Sequence, residues 1–150
     1  MPLTKLNTNG VSFSLEHSIA HSSTTTNRTV NGSGTDGWID HLSITFTTTK
    51  LGTLQCFGQF AHGYESGACV IQGRFDLDGS SQSEALQIFK QGLGSNMAFG
   101  SHNLIGFFNG VSAGSHTIKL QVKNAQVGTS GILNYFDDAN NGDHIWVMYK

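Results

Sequence analysis

The chain has 150 residues, a formal net charge of −2 and 12% charged residues, about half of the usual ~25%. That length suits one domain with one core. Its Lys and Arg are scattered singly, so the clustered cations that neutralise phosphates are missing and no nucleic-acid partner is expected. No apolar run approaches the ~18 residues of a membrane-spanning helix, so no membrane partner is expected either. Nineteen Gly, one Pro and 10 Phe, with abundant Ser and Thr, favour short strands joined by Gly turns over helices.

Residues 1–37 read as an N-terminal arm and lead-in. Met1-Pro2-Leu3-Thr4-Lys5 lacks a basic stretch before an apolar core and does not read as a secretory signal. Val11–Leu15 alternates and is one candidate strand. From His21 to Gly34 the chain is polar and of low complexity. Such a segment buries too little apolar surface to offset its ordering cost. It is expected to order by lying on a partner, which makes His21 and Arg28 candidate contact residues.

His41–Thr47 carries the clearest period-2 alternation, with Leu42, Ile44 and Phe46 on one face and His41, Ser43, Thr45 and Thr47 on the other. Thr53–His62 follows, with Leu54, Cys56 and Phe60 in phase and Phe57 opposite. Ala68–Leu77 aligns Cys69, Ile71, Phe75 and Leu77, and stops at the turn signal Asp78-Gly79. Cys56 and Cys69 read as two small buried thiols; a disulfide is geometrically open if the two runs pair as a hairpin. Ser80–Gly94 stays ambiguous between a helical turn and an irregular strand. Leu104–Phe108 is an apolar run ended by Asn109-Gly110. Thr117–Lys123 points Ile118, Leu120 and Val122 inward. Gly131–Phe136 reads as a strand, Asp137–Asp143 as a polar loop, and His144–Lys150 as a terminal strand held in a sheet. About eight strands with turn signals every 8–12 residues predict an all-β antiparallel sandwich of jelly-roll type over residues 38–150.

Candidate chemistry is sparse. Gly110-Val111-Ser112-Ala113-Gly114 matches G-x-S-x-G, but a nucleophile elbow needs a strand before it and a helix after it, whereas a strand follows here. The expectation is a Gly-rich hairpin turn and no enzyme. His17 and His21 have i, i+4 spacing in a stretch poor in helix formers, and Asp137–Asp143 departs from the EF-hand pattern at Ala139 and lacks the distal Glu. No metal or other cofactor is expected. Each remaining His is read as solvent-facing or at an interface. Trp38, Tyr64, Trp146 and Tyr149 are the aromatics available to stack on a sugar or a subunit.

Three elements carry a family resemblance: Leu77-Asp78-Gly79 closing a strand, Ala113-Gly114-Ser115-His116-Thr117-Ile118-Lys119-Leu120-Gln121 opening one, and the apolar terminal strand after an acidic, Asn-rich loop. On these, the block from about Trp38 to Lys150 resembles the jelly-roll domains of bacteriophage virion proteins, which include tail-fibre tips and capsid-decorating (cement) proteins, many of them trimers with a tumour-necrosis-factor-like topology. The resemblance implies a homotrimer located in the virion and assembled in the host cytoplasm, in contact with the major capsid protein or another virion protein. The short arm, with no shaft before the domain, is read as favouring a decorating subunit. The alternative is a receptor-binding or lectin-like tip that recognises host surface glycans.

Overall fold

A computed structural model describes residues 18–24, 28–31, 37–66, 70–81, 87–90, 99–125, 130–133 and 142–149. The described residues are all-β and form two antiparallel sheets without a helix. The strands are β1 (Ser18–Thr24), β2 (Arg28–Asn31), β3 (Ile39–Thr48), β4 (Gly52–Ser66), β5 (Val70–Leu77), β6 (Ser80–Ser81), β7 (Gln87–Lys90), β8 (Phe99–Val111), β9 (Gly114–Asn124), β10 (Ser130–Leu133) and β11 (Asp143–Tyr149).

The first sheet runs β1-β11-β4-β10-β2, with β8 on the other edge of β4; the second runs β3-β9-β5-β6, with β7 also on β5. One long bent ribbon generates both. β3 pairs with β9 from Ile39↔Val122 to Thr48↔Gly114, and β4 pairs with β8 from Gly52↔Val111 to Gly63↔Phe99. The two ladders continue one another in register and fold over between them, at residues 49–51 and 112–113. The Thr48 hydroxyl ties the fold-over shut by donating to the Ser112 carbonyl at 2.6 Å. The Tyr149 hydroxyl donates to the Lys50 carbonyl at the same corner.

The alternation read from the sequence reappears as burial. Leu42, Phe46, Leu54, Cys56, Phe60, Ile71, Phe75, Leu104, Ile118, Leu120, Val122, Ile145 and Val147 are all buried, from both sheets. Two glycines set how closely the sheets approach. A Cβ on Gly58 of β4 would lie 3.1 Å from Phe75 Cζ and 3.2 Å from Leu120 Cδ1. A Cβ on Gly73 of β5 would lie 3.0 Å from Leu104 Cδ2 and 3.1 Å from Phe60 Cε1. Each sheet thus presents a glycine hollow that the other fills with a phenylalanine ring, the dense interlocking expected of a core.

Several expectations change. The structure has eleven described strands where about eight are read from sequence, because short polar strands lack an apolar signature. Two of these, β1 and β2, fall inside the stretch read as an arm. Their ladders to β11 and β10 place residues 18–24 and 28–31 within the first sheet. The ambiguous stretch contains β6 and β7, both strands on β5. The hairpin that would bring Cys56 beside Cys69 is not formed, since β4 and β5 lie in different sheets. Cys56 is a free, buried thiol whose pKa burial pushes up to about 12, which makes it unreactive. Cys69, Val11–Leu15, His17 and residues 137–141 lie outside the described residues.

Gly73→Ala tests the interlock. The added methyl should cost about 1–3 kcal/mol in urea unfolding, as overpacking does. Gly37→Ala is the control: Gly37 is exposed with nothing within 4 Å of the added atom, and it should change stability by no more than ~0.5 kcal/mol.

Candidate functional site

Three places hold the chemistry of the described residues. The first is a buried tie between the sheets. His41 is expected to face outward, yet its side chain is 2% exposed. The cause is a register shift between Asp40 and Leu42, a bulge that turns His41 inward while Asp40 stays outside. There the His41 Nε2 meets Asp143 Oδ2 at 2.5 Å, and Asp143 Oδ1 accepts the Ala61 N–H at 2.7 Å. Asp143, read as the end of a solvated loop, is 1% exposed. It fastens β11 to β3 and to β4.

The second lies where the ribbon folds over. Asp78 and Gly79 are the central residues of the β5–β6 turn, with φ of 51° and 86°. Both angles are positive, the type I′ geometry that Asp-Gly favours in tight hairpins. The turn aims Asp78 at β9. Its Oδ1 accepts the Thr117 N–H at 2.7 Å and its Oδ2 meets His116 Nδ1 at 2.7 Å. His116 Nε2 lies 2.9 Å from the Ser112 carbonyl. Both partners of the ring are acceptors, so both nitrogens must donate, which only the imidazolium can do. The hydrogen bond to Asp78, then that to Ser112, raise the His116 pKa against the opposing effect of burial. Burial acts to raise the Asp78 pKa, but the Thr117 N–H and the His116 bond and charge outweigh it and hold the carboxyl below its usual range. The G-x-S-x-G segment is therefore the β8–β9 connection, and its Ser112 carbonyl is committed to Thr48 and His116.

The third comprises the two outer faces, which differ in character. On the second sheet, Lys119 Nζ and Gln121 Nε2 both donate to Asp40, at 2.7 and 2.8 Å. Arg74 Nε donates to Gln121 Oε1 at 2.8 Å, and the Arg74 guanidinium lies 4.2 Å over the Trp38 ring. This face is polar and internally paired. On the first sheet, register aligns three rows across β11, β4 and β8: His144–Gln59–Asn103, Trp146–Phe57–Ile105 and Met148–Gln55–Phe107. Ile105 and Phe107 are 50% and 51% exposed. His144 stacks on Trp146 with ring centroids 5.0 Å apart. A shallow cleft of about 350 Å³ opens among Phe57, Asn103, Ile105, Trp146 and Met148. None of these nine side chains carries a carboxylate, ammonium or guanidinium.

The six contact residues read from sequence do not form one site. His21 is the rung partner of Trp146, so both belong to the middle row. Trp38 is on the opposite sheet beneath Arg74, and Tyr149 packs against the core with its hydroxyl on Lys50. Arg28 pairs with Leu133 and Tyr64 with Gly131, at the far end of the first sheet. Sequence reasoning places Phe57 opposite the buried face of its strand and misses Ile105, Phe107 and Met148 as surface residues. The signal for Ile105 and Phe107 is an apolar residue with a buried neighbour on each side.

No family model matches the chain, and no curated protein matches it. Among 21 matching solved chains, one is from the structure of infectious bursal disease virus Gt strain, 14% identical, with a TM-score of 0.31. The match takes in all of this chain, which spans 40% of that one. A TM-score of 0.31 carries neither fold nor role from that protein to this one.

Asp143→Ala should cost about 3–5 kcal/mol, because it strands His41 and the Ala61 N–H in the core; Asp143→Asn keeps an acceptor and should cost less. His116→Gln should show a pH signature. A raised folded-state pKa gives stability that is complete below the unfolded value of about 6.5 and disappears as pH rises through the folded value. The wild-type advantage in Tm over His116→Gln should be largest from the upper carboxylate range to about pH 6 and should vanish in alkaline buffer. An advantage that grows with pH would contradict the imidazolium assignment.

Proposed function

We propose that this chain is a non-enzymatic structural protein of a virion, which decorates a capsid and stabilises it by adhesion. The observation that carries the reading is the partly apolar outer face of the first sheet, whose nine aligned side chains include no carboxylate, ammonium or guanidinium. Large exposed apolar patches on soluble domains mark interaction sites. Here Ile105 and Phe107 are half exposed beside Phe57, Trp146 and Met148, while on the other sheet Lys119, Gln121, Arg74 and Asp40 pair with one another. The face is presented on a rigid support, since every strand beneath it is locked by the glycine–phenylalanine interlock and the His41–Asp143 tie. The virion part of the reading rests on the resemblance of Leu77-Asp78-Gly79, the Ala113–Gln121 strand entry and the terminal strand to bacteriophage jelly-roll proteins. The ribbon bent across two antiparallel sheets supports a sandwich of this kind. The decorating subunit would meet the major capsid protein or a neighbouring virion protein through this face.

A second reading, a tip that recognises host surface glycans, is favoured by one observation. The His144–Gln59–Asn103 row lays amides beside the Trp146 ring, and an aromatic platform flanked by neutral hydrogen-bonding groups is what a sugar ring uses.

Purified protein added to DNA-free heads of the parent virus should sediment with them and raise the temperature at which they break. Phe57→Gln with Met148→Gln should abolish both effects while leaving the circular dichroism spectrum unchanged. Binding to a glycan array and to cells, with no binding to heads, would replace the first reading with the second.

A further inference from the structure

We infer that two copies of this chain associate edge to edge through β8, antiparallel about a two-fold axis at Gly106, so that the first sheets of both copies become one continuous sheet. This deepens the adhesion reading, in that the partner is a second copy, but it uses only the strand itself.

The argument starts from what an edge strand must avoid. A free edge displays unpaired N–H and C=O groups, and monomeric proteins blunt such edges with charge, proline, short length or a covering segment. Among the described residues β8 has ladder rungs to β4 alone. It is 13 residues long, Phe-Gly-Ser-His-Asn-Leu-Ile-Gly-Phe-Phe-Asn-Gly-Val, with no Lys, Arg, Asp, Glu or Pro. The other edges are treated differently. β2, β6 and β7 have four, two and four residues, with Arg28 on β2 and Lys90 on β7. β3 carries the charged Asp40, and β1 lies against β3. Among the described residues β8 is the longest edge strand, and it carries no charge, no proline and no described covering strand.

The side chains on that edge are also self-complementary. Antiparallel pairing about Gly106 sets residue i opposite residue 212 − i of the other copy. Ile105 then faces Phe107, Phe107 faces Ile105, and Asn103 faces Asn109. On the inner side Leu104 faces Phe108. At these central rungs apolar meets apolar and amide meets amide, the pairs that stabilise neighbouring strands; only towards the strand ends does a polar residue, Ser101, face an apolar one, Val111. An axis at Ile105 would set Phe107 against Asn103, and an axis at Phe107 would set Ile105 against Asn109. A shift of one residue in the pairing would oppose the outer face of one copy to the inner face of the other. The half-exposed Ile105 and Phe107 are the residues that gain cover.

This two-fold arrangement differs from the trimer that the family resemblance implies, so mass alone separates them. The full chain at micromolar concentration should sediment as twice 16.1 kDa. Ile105→Lys, a change at an exposed position, should reduce it to one chain mass with an unchanged circular dichroism spectrum. A second variant needs no loss of association. Asn103→Cys combined with Asn109→Cys should form a disulfide-linked dimer on mild oxidation. Asn103→Cys alone should not, because the two copies of residue 103 would stand six rungs apart, roughly 20 Å. The wild-type chain, with Cys56 and Cys69, is the blank. A monomer at every concentration, a trimer mass, a dimer indifferent to Ile105→Lys, or cross-linking by Asn103→Cys alone would each overturn the inference. None of these outcomes bears on whether the chain sediments with heads, so the two readings fail separately.

Discussion

The arrangement depends on the reciprocal fit at the centre of the sandwich, where Phe60 fills the hollow over Gly73 and Phe75 fills the hollow over Gly58. Two sheets that each offer a ring and a hollow can meet in only one relative position. Leu104 and Leu120 close around the same glycines, so any slip along the sheets would drive a ring into backbone-bearing neighbours. Close packing turns this into a steep constraint, because a core filled to crystal-like density has no room for a displaced phenyl group. With the inner faces committed in this way, whatever the protein does must be done by outer faces, edges and turns.

The corner where the ribbon folds over shows how polar groups support that choice. A chain crossing from one sheet to the other leaves carbonyls without ladder partners, and buried backbone groups left unpaired are costly. Thr48 and His116 both donate to the Ser112 carbonyl, and Asp78 takes the Thr117 amide while holding the ring of His116. The opposite region uses His41 and Asp143 instead, shielded from water. One polar cluster is buried between the sheets; the other lies at the surface and is built around the His116 imidazolium. The two outer faces diverge for a related reason. Lys119, Asp40, Gln121 and Arg74 satisfy one another across the second sheet, whereas the first sheet presents rings, amides and aliphatic groups with no carboxylate, ammonium or guanidinium among its nine aligned side chains.

Much of the fold was legible from residue order. Leu42 and Phe46, Leu54, Cys56 and Phe60, and Ile118, Leu120 and Val122 read correctly as inward, and Asp78-Gly79 read correctly as a tight turn. His41 read wrongly because a bulge shifts the period by one residue, and a bulge has no reliable signature in a single sequence. β1 and β2 were missed because polar strands are recognised only by the strands they pair with. The candidate site was less legible still. Trp38, Trp146 and Tyr149 are alike as residues, yet they sit under Arg74, in the middle row of the first sheet, and against the core. Phe57 reads as outward from its phase, whereas Ile105 and Phe107 read as ordinary members of an apolar run.

By itself the sequence determined which side chains of each strand share a face and where the chain turns, because both follow from local backbone geometry: a period of two in extended chain, and positive φ at Asp-Gly. Only the tertiary structure decided which strands are neighbours. Ile105, Phe57 and Trp146 form one row although some forty residues or more separate each from the next, because rungs between β8, β4 and β11 bring them within one ladder spacing. Pairing of that kind is set by the global fit of two sheets, with the loop-closure cost almost indifferent to which distant strands meet, so no local pattern announces it.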